Sequence, residues 1–230
     1  MFSTGKHLLI VEDAASIALF LKVNLRHQGF FVDIAATAGE AAAMMDQAGA
    51  IRTPPYDLVL VDLGLPDRDG TDLIADITGE TGVPPVIAMS ADTDAEVSAR
   101  AVAAGAVLFI EKPVNMVRLT AAISETLEDR HYLKDHVTGA KLAEEHAALA
   151  TAYRQHLMGL ASDLGMAMPV PQLRSLLHQL KGSATLYGMT ALSLAAGAFS
   201  RQLAEGGPQT ARRVRRDLRD AILDAAEPGC

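Results

Sequence analysis

The chain has 230 residues, 50% of them hydrophobic, a net charge of −8 and a single cysteine, Cys230. That length accommodates one large or two small domains, and the hydrophobic content excludes disorder of the whole chain. No apolar stretch approaches the roughly 20 residues of a membrane helix, MFSTGKHLLIVED shows no secretory leader, and one cysteine cannot form an internal disulfide, so a soluble, cytoplasmic protein is expected.

In chain order, five short apolar runs at residues 8–11, 30–34, 58–61, 86–89 and 106–110 have the length and composition of buried strands. Helical stretches at 14–28, 38–49, 70–79, 93–104 and 114–130 follow them. Strand and helix alternating five times predict a parallel sheet covered by helices on both faces. Gly29, Gly82 and Gly105 fall where helix ends are expected, and Pro54-Pro55 and Pro84-Pro85 stop helices ahead of the next strand.

Beyond residue 140 the strand signal disappears. Helical patterns cover 140–161, 170–187, 190–204 and 208–226, which predicts an antiparallel four-helix bundle. Charge changes at the same point. Residues 1–140 carry 10 Lys/Arg against 20 Asp/Glu, a balance of −10, whereas 141–230 carry 10 against 8, a balance of +2. The expected organisation is therefore a first domain over 1–130, a linker over 131–140 and a second domain over 141–230. Whether the helix at 114–130 continues through that linker stays open.

Chemistry concentrates at the strand ends. Glu12 and Asp13 close the first run, Asp62 the third, Ser90 the fourth, and Lys112 follows the fifth. Parallel strands lying side by side bring those ends to one crevice. Three carboxylates there repel one another and call for a cation, and oxygen ligands of this kind suit Mg²⁺. Lys112 can neutralise phosphoryl oxygens, Ser90 can donate a hydrogen bond to one, and Asp62 is the natural nucleophile, so phosphoryl transfer is the predicted reaction.

The motifs IVED (10–13), VDLGLPDRDG (61–70), MSA (89–91) and FIEKP (109–113) resemble the receiver domain of two-component response regulators. The resemblance spans about residues 5–128 and implies a flavodoxin-like, doubly wound five-stranded sheet. It makes Asp62 the phosphoacceptor and assigns Mg²⁺ to Glu12, Asp13, Asp62 and the carbonyl of Gly64. It likewise implies a switch pair in Ser90 and Phe109, a catalytic lysine in Lys112 and a cis bond before Pro113.

In the second half, Leu173, Leu176, Leu177, Leu180, Ala184 and Tyr187 share one helix face. His178, Lys181, Gly182 and Thr185 lie opposite, so His178 is expected to be exposed and nucleophilic near neutral pH. Gly182, a glycine inside a helix, is expected to clear space for a partner, and Lys181 to screen a phosphoryl group on the imidazole. HQLKGSATLYGM (178–189) resembles the phosphoacceptor helix of histidine phosphotransfer (HPt) domains, over about residues 141–228. His7, His27, His131, His136, His146 and His156 lack zinc-ligand spacing. The arginines of ARRVRRDLRD (211–220) alternate with acids and lack aromatics, so nucleic acid is not an expected partner.

Both resemblances imply a phosphorelay protein that passes phosphoryl groups to or from a sensor histidine kinase, other receivers or other HPt proteins. Aspartyl phosphorylation would be self-catalysed. No glycine-rich nucleotide box accompanies His178, so a self-contained kinase is not expected. A phosphate sink draining a relay, and an adaptor controlled by phosphorylation that binds through the bundle, remain alternatives.

Overall fold

The computed structural model describes residues 5–50, 54–79, 83–92, 94–127, 139–165 and 168–226. The chain divides into two compact units, Met1–Ala143 and Glu144–Cys230.

In the first unit, strands β1 (His7–Val11), β2 (Phe31–Ala35), β3 (Leu58–Asp62), β4 (Val86–Ser90) and β5 (Leu108–Glu111) form one parallel sheet in the order β2-β1-β3-β4-β5. Helices α1 (Ala15–His27), α2 (Ala38–Gly49), α3 (Gly70–Thr78), α4 (Ala95–Ala103) and α5 (Met116–Thr126) connect or follow them. Every residue of β3 and β4 is buried, which explains their unbroken apolar runs: both faces are covered, and each Leu, Ile or Val so placed contributes about 1.5–3 kcal/mol. The edge strands β2 and β5 mix buried and open positions. Local signals set the helix starts, with Thr37, Asp69, Asp94 and Asn115 each accepting a backbone N–H at an N-cap. Gly29 and Gly105 adopt positive φ just past α1 and α4, as their positions predict; Gly82 lies outside the described residues.

The second unit is a bundle of α6 (Gly139–Leu164), α7 (Val170–Ser183), α8 (Thr190–Glu205) and α9 (Pro208–Ala226) around one core. Tyr153, Leu157, Ala161 and Leu164 supply α6's contribution, and Val214, Leu218 and Ile222 form the buried stripe of α9. The C-terminal end of α7 differs from the sequence reading, which carries the helix to residue 187. The α-helix of α7 stops at Ser183, and Ala184–Tyr187 form a 3₁₀ turn ending at Gly188, whose φ of 79° is left-handed. The Ser183 hydroxyl bonds back to Gln179 O at 2.8 Å and lies 2.7 Å from Tyr153 Oη. Its single proton is committed to the carbonyl, so Tyr153 is the donor. Tightening of a last turn into 3₁₀ geometry is a common helix ending.

Residues 131–138 of the expected linker, and any continuation of the helix predicted at 114–130 past Leu127, lie outside the described residues. Among the described residues no helix is long and apolar enough to cross a membrane.

Candidate functional site

The C-terminal ends of β1, β3, β4 and β5 bring Glu12, Asp13, Asp62, Ser90 and Lys112 together. Glu12, Asp62, Ser90 and Lys112 are all buried, and Asp13 is half-buried. Carboxylate oxygens of Glu12, Asp13 and Asp62 lie within 4.8 Å of one another. Lys112 Nζ sits 2.6 Å from Glu12 Oε2 and 2.9 Å from Asp62 Oδ2. The other Asp62 oxygen, Oδ1, accepts the Gly64 N–H at 3.2 Å.

Burial would lower the Lys112 pKa, but the Glu12 and Asp62 carboxylates outweigh it and hold the ammonium charged above its ordinary value. Glu12 goes the other way. Burial pushes its pKa up to about 8, with Asp62 and Asp13 adding repulsion and Lys112 opposing. Three acidic side chains around one ammonium form an all-oxygen donor set, which fits a hard divalent cation.

Ser90 lies at the end of β4, where its hydroxyl accepts the Asp92 N–H at 3.0 Å and its carbonyl accepts the Lys112 N–H at 2.7 Å. That backbone bond ties β4 to the turn carrying Lys112. The Lys112-Pro113 bond is cis, as the resemblance implies. Phe109 is half-buried on edge strand β5, packed against the core on one side of the sheet.

Sequence reasoning missed three residues of the loop after Asp62. Gly70 packs so closely that a Cβ there would run into the carbonyl oxygen of Asp62 and lie 2.7 Å from Leu63 Cα. Asp67 accepts the N–H groups of Ala38 and Gly39. Asp69 caps α3 through Thr71 N at 2.9 Å and pairs with Arg100 of α4 at 2.7 Å. An Asp-Gly pair opening a helix was the available signal for Gly70 and Asp69; nothing local marked Asp67.

Asp69→Ala is expected to cost about 1 kcal/mol, chiefly from the lost cap, because the Arg100 pair is solvent-exposed. Burial raises the Asp69 pKa, but the Thr71 N–H and hydroxyl and Arg100 outweigh it and hold the carboxyl below its ordinary value. A lowered folded pKa contributes stability above the unfolded value near ~3.9, and this is lost as pH falls through the folded value. Urea unfolding of both proteins should thus show a gap at neutral pH that closes in acid; a gap independent of pH would contradict the assignment.

In the second unit, His178 is half-buried on α7, not fully exposed as expected, and its Nε2 is shielded from solvent. Lys181 is half-buried. Gly182, expected on the open face, is buried. The physical reason is α8: Ser193 Oγ donates to Lys181 O at 2.8 Å, so that helix covers part of the face that a single amphipathic helix would leave to water. Leu173, Leu176, Leu177, Leu180 and Ala184 occupy the core as predicted, whereas Tyr187 is half-buried and stacks on Tyr153 at 4.3 Å between ring centroids. Of the remaining histidines, His7 pairs with Asp33 at 3.0 Å, and His131 and His136 lie outside the described residues.

The response regulator receiver domain family matches residues 8–124. The transcriptional regulatory protein KdpE of Mycobacterium tuberculosis (strain ATCC 25618 / H37Rv) is 36% identical over 122 residues, covering 50% of this chain and 50% of its own. Response regulator ArlR of Staphylococcus epidermidis is 31% identical over 121 residues, covering 53% and 52%. The chain thus spans about half the length of these curated relatives. Among solved structures, the CheY-like response regulator receiver domain protein of Methanospirillum hungatei JF-1 is 34% identical with a TM-score of 0.50, covering 54% of this chain and 95% of that one. A family match running from β1 to α5, over a sheet in this strand order, makes this chain a member of the response regulator receiver domain family.

Proposed function

We propose that this is a two-component phosphorelay protein: a receiver over 1–130, a linker over 131–140 and an HPt domain over 141–230. The observation that carries the receiver half is Lys112 Nζ held between Glu12 and Asp62 beside Asp13 and Ser90. The bundle half rests on a four-helix core with the HxLKGS histidine, His178, on α7.

In this reading a carboxylate oxygen of Asp62 attacks the phosphorus of a phosphohistidine on a sensor kinase or HPt partner, and the leaving imidazole retains the bonding pair. Lys112, already beside Asp62, pairs with a phosphoryl oxygen, and the Ser90 hydroxyl donates to another while Phe109 follows it inward. Receiver domains generally bind Mg²⁺ through an acidic cluster, and Glu12, Asp13 and Asp62, with the carbonyl of Gly64, would hold it here. Bound there, the ion would offset charge on the phosphoryl oxygens. His178 would exchange phosphate with a receiver, flanked by Lys181 and Gly182, once its imidazole turns Nε2 toward the partner. In this reading nucleic acid is not a partner, because exposed Arg212, Arg213, Arg216 and Arg219 of α9 are interspersed with Asp217, Asp220 and Asp224, and Arg216 is tied to Asp217 at 3.0 Å. The protein would act in the cytoplasm.

Labelled phosphodonor tests both halves. A small acyl phosphate with Mg²⁺ should label wild type at Asp62, and Asp62→Asn should remove that label completely. A phosphorylated receiver should label the chain at His178, and His178→Gln should remove it. Undiminished labelling of Asp62→Asn overturns the receiver site. No His178 label from any phosphorylated receiver, with the bundle folded, leaves the adaptor reading in place of the relay. Rapid hydrolysis with no onward transfer identifies a sink.

A further inference from the structure

The loop after Asp62 is tied down by three consecutive side chains, each to a different helix. Arg68 pairs with Asp76 of α3 at 2.7 Å, and Asp69 pairs with Arg100 of α4 at 2.7 Å. Asp67 reaches α2. Its Oδ1 accepts the N–H of Ala38 at 3.0 Å and its Oδ2 that of Gly39 at 2.9 Å, across 29 and 28 residues of chain.

The N-terminus of α2 is thereby completed from two directions. Thr37 Oγ1, at the N-cap, accepts the Glu40 N–H at 3.0 Å, and Glu40 Oε2 reaches back to accept the Ala36 N–H at 2.7 Å, one residue before the cap. Asp67 takes the N–H groups of Ala38 and Gly39, two first-turn donors that have no partner within the helix. Its position at the positive end of the helix adds to the attraction. Those N–H groups, Gly39 first and Ala38 second, hold the Asp67 carboxyl below its ordinary pKa, so the clamp is charged at neutral pH.

What the clamp restrains is a short span. From Asp67 the chain runs back through Gly64, whose N–H holds Asp62 Oδ1 at 3.2 Å, to Leu63, whose carbonyl accepts the Gly70 N–H at 3.0 Å. With one Asp62 oxygen held by Gly64 and the other beside Lys112, the orientation of the carboxylate depends on where residues 63–67 sit.

We propose that Asp67 is a positioning residue for phosphoryl transfer to Asp62, holding the 63–67 loop against the N-terminus of α2 so that the Gly64 N–H keeps the Asp62 carboxylate in its reacting orientation. The role rests on Asp62 being the phosphoacceptor. With acetyl phosphate as donor, an Asp62 oxygen forms the new bond to phosphorus, the bond from phosphorus to the acetate oxygen breaks, and acetate leaves with the electron pair. Asp67 touches none of these atoms.

The test uses the full chain as wild type, Asp67→Asn, Asp67→Ala and Asp62→Asn, with labelled acetyl phosphate and Mg²⁺ near neutral pH. Asp67→Ala is expected to lower the maximal labelling rate about tenfold while leaving the half-saturating acetyl phosphate concentration unchanged, since misorientation acts on the reacting geometry. Asp67→Asn keeps one acceptor oxygen and should fall between. In amide NMR spectra of Asp67→Ala, the Ala38 and Gly39 resonances should shift upfield, and the Gly64 resonance should move with them, which a purely local helix cap would not cause. Wild-type labelling by Asp67→Ala with the Ala38 and Gly39 amides shifted overturns the proposal, as does an unmoved Gly64 amide. Wild type labelling no better than Asp62→Asn instead removes the phosphoacceptor reading, and this role with it.

Discussion

Lys112→Met is expected to destabilise the first unit by about 3 kcal/mol in metal-free buffer at alkaline pH, and by clearly less in mild acid. Methionine fills nearly the same volume, so the loss is electrostatic. Removing the ammonium leaves the buried carboxylates of Glu12 and Asp62 facing each other without the cation that sits 2.6 and 2.9 Å from them. Glu12 can respond by keeping a proton. Burial already raises its pKa to about 8, and loss of the opposing lysine raises it further. A carboxyl whose folded pKa lies above its unfolded value binds more protons when folded, so stability falls as pH rises between the two values. Below about pH 6 Glu12 is protonated in both folded proteins and the variant is spared much of the penalty; above pH 8 only wild type has a cation to stabilise the ionised pair. Urea midpoints measured in acid and in alkali give the comparison, and adding Glu12→Gln to Lys112→Met should restore most of the alkaline loss. A Lys112→Met midpoint equal to wild type at both pH values would show that the buried charges are compensated by something other than this lysine.

Gly70→Ala is expected to cost about 1–3 kcal/mol and to impair labelling of Asp62, although it adds one methyl group. That methyl would meet backbone, the Asp62 carbonyl oxygen and, at 2.7 Å, Leu63 Cα, so no side chain can swing aside to make room. Either α3 retreats from β3 or the end of β3 moves, and the second outcome displaces the residue that carries the reaction. Gly49→Ala is the matched control, because a Cβ there meets nothing within 4 Å and alanine is the better helix former by about 0.5–1 kcal/mol. Circular dichroism melts and acyl phosphate labelling of both variants would separate a general intolerance of alanine from this contact. A Gly70→Ala protein with wild-type melting and labelling would mean that the strand end yields without consequence.

What the sequence by itself determined was everything carried within one element or repeated at each strand end. Apolar runs of strand length and helix-period stripes such as Val214, Leu218 and Ile222 are local in origin. Parallel pairing then brings strand ends to one edge, so Glu12, Asp13, Asp62, Ser90 and Lys112 group together from their places at the strand ends. Tertiary structure decided what depends on a neighbour distant in sequence. Periodicity places His178 and Gly182 opposite the Leu177 side of α7, but α8 covers part of that opposite face, leaving Gly182 buried and His178 half-buried. The closeness of Gly70 to the Asp62 carbonyl follows from how α3 packs on β3, and the Asp67 clamp spans nearly thirty residues to donors that any acceptor of the right reach could satisfy. Hydrogen-bond donors at a helix start are legible from sequence, but which remote side chain arrives to take them is set only when the loops are packed.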